Sequence, residues 1–121
     1  MTPRVRGVPI MFLTEAFTWY AIRRAAGRSD SFGTLLEPAP GRDRLTAEER
    51  RDALGADAAL RRVGVRCLFR STVVTEMLRR RGIGARIRLT VDREAPRRAH
   101  AETEVGGVPL HPHETAMVPL A

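Results

Sequence analysis

The chain has 121 residues, a formal net charge of +7, 43% hydrophobic residues, 5% aromatics and a single cysteine. That length holds one domain with a modest core, and one cysteine excludes both an internal disulfide framework and a Cys-x-x-Cys metal site. All 21 basic residues are Arg, and residues 61–98 hold 12 of them against three acids (Glu76, Asp92, Glu94), so the excess is a local rim for an acidic partner, which argues against nucleic acid.

Residues 8–22 (VPIMFLTEAFTWYAI) are the most apolar stretch. Glu15 interrupts them, they fall short of the ~20 residues that span a bilayer, and no Ala-x-Ala site follows before Arg23 and Arg24. They predict a buried helix rather than a signal peptide or membrane segment, with Pro9 in its first turn, Ile10, Leu13, Phe17 and Tyr20/Ala21 on its inner face, and Gly27 as its stop. With no targeting signal, a cytoplasmic protein with a reduced thiol is expected.

Residues 29–43, rich in Gly, Pro, Ser and Asp, predict a connecting loop whose Phe32, Leu35 and Leu36 lie against the core. Thr46-Ala47-Glu48-Glu49 is a capping box with Leu45 at the staple position, and it opens a helix to about Arg62. Gly64 ends that helix. Residues 67–81 (CLFRSTVVTEMLRRR) run at helical period, with Leu68, Phe69, Val73, Met77 and Leu78 on the inner face and Arg79 to Arg81 complementing the negative helix end.

Gly82 stops the third helix. Residues 86–92 then alternate as a half-buried strand does, residues 93–98 form a loop, and residues 99–105 form a second strand. Gly106-Gly107 is a two-residue hairpin signal, with residues 108–111 returning as a third strand. The fold class is α+β: a helical portion over residues 1–62, then a Cys-bearing helix packed on a small antiparallel sheet over 63–121, all one domain.

Cys67 opens a helix, at the positive end of the macrodipole and between Arg66 and Arg70, a setting that favours the nucleophilic form of a thiol. His100 begins a later strand. A nucleophilic Cys needs a His near in space rather than in sequence, and this chain order is that of papain-like and transglutaminase-like enzymes. A third, orienting group belongs on a strand paired with that of His100. Pairing through Gly106-Gly107 sets His100 opposite His113, so His111, His113 and Glu114 are the candidates for that role. The catalytic set read from the sequence is Cys67, His100 and His113. A metal held by the three His residues with Cys67 or Glu114 is a weaker alternative, and no cofactor is expected.

The segments RCLFRSTVVTEMLRRRGIGARIRLTV and AHAETEVGGVPL resemble the leader peptidase of lasso peptide biosynthesis, a transglutaminase-like cysteine protease family. There a Cys-Leu-x-x-Ser helix start, a Leu-Arg-Arg-Arg-Gly-Ile-x-Ala-Arg helix end and a His-Ala-x-x-Glu-Val strand recur. The resemblance covers residues 65–120. It implies Cys67 as nucleophile and His100 as general base in removing the leader from a ribosomally made precursor peptide. It also implies a separate leader-recognition protein and the lasso cyclase as partners. This chain has Glu102 where the family usually has Trp, and the family's triad Asp aligns near Pro112. A second reading therefore stands beside the first: a weak or inactive module that binds leader peptide, or less readily nucleic acid, through its Arg-rich face.

Overall fold

Helix starts and stops written in the sequence set the frame. The computed structural model describes residues 3–5, 7–26, 31–92, 98–111 and 117–119. A two-residue-stranded hairpin, β1 (Arg4–Val5) and β2 (Val8–Pro9), leads into α1 (Ile10–Ala26), α2 (Ser31–Leu36), α3 (Ala47–Arg62) and α4 (Cys67–Arg80). Strands β3 (Ala85–Asp92), β4 (Ala99–Val105), β5 (Val108–Pro109) and β6 (Met117–Pro119) form an antiparallel sheet in the order β5-β4-β3-β6. The architecture is α+β.

The capping box forms as the sequence predicts. Glu49 N–H donates to the Thr46 hydroxyl (3.0 Å) and the Thr46 N–H to the Glu49 carboxylate (2.9 Å). Arg42 adds a charged donor to the same carboxylate (3.0 Å to Oε1). The Arg42 hydrogen bond, joined by those from Thr46, pulls the Glu49 pKa from its ordinary 4.5 down to about 2. Because the folded value lies below the unfolded one, this stabilisation is complete above about pH 4.5 and fades as pH falls towards 2. Glu49→Ala therefore lowers unfolding stability by about 1 kcal/mol at neutral pH. In urea unfolding, the gap between parent and variant narrows on acidification.

Helices α3 and α4 each end on a glycine in the left-handed region, Gly64 (φ 85°) and Gly82 (φ 77°). In each case the glycine N–H bonds back to Arg61 or Arg79, and the next residue's N–H bonds to Leu60 or Leu78. Val65 and Ile83 then bury against those leucines, as the Schellman motif requires. The turn between α3 and α4 is thus a pinned corner, and it delivers Cys67.

Helix α4 is the centre of the molecule. It packs against α1 and α3 on one side and against β3 and β4 on the other. The sequence predicts a one-sided helix, whereas every residue from Ser71 to Leu78 is buried. The polar members of that run are tied: Thr72 to the Leu68 carbonyl (2.8 Å), Thr75 to the Thr103 hydroxyl (3.0 Å), and Glu76 to Arg23 of α1 in an ion pair. Phe12, Ala16, Ala56, Leu60, Val65, Val73 and Met77 fill the helical core. Val74, Leu78, Ile83, Ala85, Val105 and Leu110 fill the space under the sheet.

Two expectations are corrected. Leu13 and Tyr20 pack against the core as expected, but the buried residues of the inner face of α1 are Phe12 and Ala16, while Ile10 and Phe17 are exposed. Packing against α4 selects the face: Phe12 and Ala16 cluster with Val73 and Met77, while the Arg81 guanidinium sits 4.7 Å from the Phe12 ring centroid and pairs with Glu15, and that of Arg80 lies 4.2 Å from the Trp19 ring centroid. Residues 29–43 contain a helix, α2, with Leu35 buried. Arg79 of α4 donates to the carbonyls of Thr34 (3.1 Å) and Glu37 (2.7 Å), satisfying acceptors that a short helix end leaves open.

Candidate active site

The alternating run after Gly82 becomes β3, and it pairs with β4 across the 93–97 segment, Thr90 opposite His100 and Val91 opposite Ala99. Asp92, two residues beyond Thr90 on the same face, is the diagonal neighbour of His100. His100 Nε2 lies 3.0 Å from Asp92 Oδ1. A carboxylate only accepts, so Nε2 carries the hydrogen and donates it. That tautomer leaves Nδ1 with a free lone pair. Both side chains are about one-third exposed, at 37% and 33%, so the pair is reachable from solvent.

Cys67, half-buried and free, is the first residue of α4. Its preceding N-cap, Arg66, has extended backbone angles and no side-chain acceptor for the first-turn amides. Cys67 and His100 line one cleft of about 300 Å³, together with Ser71, Asp57, Arg61 and His111. One turn after Cys67, the buried Ser71 hydroxyl donates to the carbonyl of Ala101 (2.9 Å), the residue that follows His100. Thr103 donates to the Ser71 carbonyl (3.3 Å) and shares a hydrogen bond with Thr75. This ladder sews the start of α4 to the start of β4 and so sets the spacing of thiol and imidazole.

For the orienting group the structure adds a candidate that the sequence reading does not name. The Leu110 N–H still bonds across to the Thr103 carbonyl (2.8 Å), but Arg50 takes the carbonyls of Pro109 (3.2 Å) and Leu110 (2.9 Å) towards α3, and β5 goes no further. His111 consequently leaves the sheet, and its Nε2 lies 3.0 Å from Asp57 Oδ2. His113 and Glu114 lie outside the described residues. Asp92 takes the place beside His100. The signal for it was present: a strand ending at residue 92 and another starting at 99 are hairpin neighbours, so their facing ends meet.

A second carboxylate–imidazole pair completes the wall of the cleft. Asp57 accepts from His111 and from Arg70 Nε (3.1 Å). Burial pushes its pKa up, but the His111 hydrogen bond and the Arg70 charge outweigh that and hold it below the ordinary carboxylate value. His100 and His111 therefore serve separate carboxylates, and among the described residues no three His, Cys, Asp or Glu side chains are grouped to hold a metal. The Arg-rich rim is also narrower than its composition suggests. Arg70, Arg81, Arg86 and Arg88 are in ion pairs, Arg79 is on carbonyls and Arg80 is over Trp19.

A thiol at a helix start, with a carboxylate-oriented imidazole from the neighbouring sheet in the same cleft, is the arrangement of a thiol acyl-transfer enzyme. The family model described as "Transglutaminase-like superfamily" matches residues 10–118. The chain belongs to the transglutaminase-like superfamily. No curated protein and no solved structure matches it. The match runs through all four helices and the sheet, so the helical portion is part of the transglutaminase-like unit rather than an appendage. The superfamily includes cysteine proteases. Among the described residues no helix is long and apolar enough to cross a membrane.

Proposed function

We propose that this transglutaminase-like chain is a cysteine peptidase that removes the leader from a ribosomally made lasso peptide precursor. The observation that carries the peptidase reading is the His100–Asp92 hydrogen bond at 3.0 Å in the cleft that holds Cys67. Cys67 hands its proton to His100 Nδ1, and the sulfur attacks the leader carbonyl. Amides at the uncapped start of α4 receive the oxyanion, and His100 returns the proton to the leaving amine. Water, activated by the same imidazole, then opens the thioester and restores the thiol. Asp92 holds the ring in the required tautomer throughout. The lasso assignment itself rests on the Cys67-to-Ser71, Leu78-to-Arg86 and His100-to-Val105 motifs. It makes precursor peptide, a separate leader-recognition protein and the cyclase the partners, in the cytoplasm.

Two measurements test this. Mass spectrometry of precursor incubated with the chain and its recognition protein yields leader with a free carboxylate; a leader joined to an added amine instead assigns transfer. Iodoacetamide labels Cys67 about tenfold more slowly in His100→Ala than in the parent at neutral pH. Equal labelling rates would separate His100 from the thiol and leave only peptide binding.

A further inference from the structure

The charges lining the Cys67 cleft are almost all spent on one another. Asp57 is neutralised by Arg70 and His111. Arg70 is held on its other side by the Val65 carbonyl (2.5 Å). Glu102, on the sheet wall, is 8% exposed and has its own partner. One charge remains. Arg61 lines the cleft, is exposed, and its guanidinium makes no hydrogen bond or ion pair among the described residues. It stands one helical turn after Asp57, on the same face of α3. The Schellman corner at Gly64 holds it in fixed relation to Cys67, six residues after it across a turn whose backbone is bonded to Arg61 and Leu60.

We infer that Arg61 is a specificity-determining residue: it binds a carboxylate side chain of the substrate beside the scissile bond, so the cleft takes acidic peptide sequence. This rests on the peptidase reading of the same site. A guanidinium with no partner among the described residues offers a bidentate carboxylate contact at no cost in bonds broken there. Beside a cleft wall, that contact is worth more than the same pair in open water. Arg62 and Arg66 carry equal charge nearby but do not line the cleft, which supplies the control.

Cys67 is the only cysteine, so its alkylation reports the cleft cleanly. Iodoacetate and iodoacetamide have the same reach and differ in a single negative charge beside the reacting carbon. Their rate ratio at Cys67 falls about fivefold or more in Arg61→Glu and by less than about twofold in Arg62→Glu, and the difference shrinks in high salt. An equal fall in both variants, or none in Arg61→Glu, overturns the inference. With precursor peptides, the parent prefers Asp or Glu next to the scissile bond over Lys, and Arg61→Glu reverses the order. If no peptide is cleaved by any variant, the peptidase reading fails, and the alkylation ratio still decides whether Arg61 makes an anion site.

Discussion

On the proposed peptidase reading, Cys67→Ala is expected to abolish release of the leader. The expected loss in kcat/KM is about 10⁴-fold or more, because removing the nucleophile removes the covalent route and leaves only positioning and oxyanion contacts. The fold tolerates the change: Cys67 is half-buried at the first position of α4, and Ala is a good helix former there. Thermal unfolding of the variant stays within a few degrees of the parent, while binding of the precursor with its recognition protein persists. Those two controls separate lost chemistry from lost structure. Processing by Cys67→Ala at the parent rate would end the peptidase reading and restore the binding module.

The parts of the fold legible in the sequence are those decided within a few residues. The capping box at Thr46 and Glu49, the stops at Gly64 and Gly82 and the turn at Gly106-Gly107 are local hydrogen-bond chemistry, and the structure has them where the sequence places them. What the sequence hides is decided by contacts across the chain. Helix α2 exists beside Arg79, which comes 43 residues after Leu36 and supplies the donors its end lacks. The buried face of α1 is set by Phe12 and Ala16 packing with Val73 and Met77, about 60 residues later in the chain.

Both members of the candidate dyad, Cys67 and His100, are legible for a like reason, and the orienting group is not. A Cys at a helix start and a His at a strand start are local facts, and the cleft brings them together. The orienting group depends on strand register. Two hairpins share β4, and only the one through Gly106-Gly107 announces its register by turn type. The β3–β4 pairing is fixed instead by burial, with Ala85 and Ile87 inward opposite Val105 and Thr103. That long-range constraint brings Asp92 to His100. It also bears on the departure near Pro112: the structure gives His100 a carboxylate from the strand before it, so the lack of an Asp on the strand after it does not leave the imidazole unsupported.

Asp92→Asn tests that substitution of one strand for another, and its expected effect is a kcat lower by about 10²- to 10⁴-fold with KM little changed. The reason is the tautomer. Asp92 as a carboxylate accepts from Nε2 and leaves Nδ1 free to take the thiol proton. An Asn amide turned to donate to Nε2 moves the ring hydrogen to Nδ1, the nitrogen needed as base. Asp92 is a third exposed and sits at the last position of β3, so unfolding stability changes by less than about 1 kcal/mol. Chemical shifts of the His100 ring nitrogens report the change of tautomer directly. His113→Ala is the companion variant: it keeps kcat within a few-fold if Asp92 is the orienting group. The reverse pattern, activity retained in Asp92→Asn and lost in His113→Ala, returns the role to the C-terminal histidine and makes the His100–Asp92 contact a strand-end hydrogen bond with no part in the reaction.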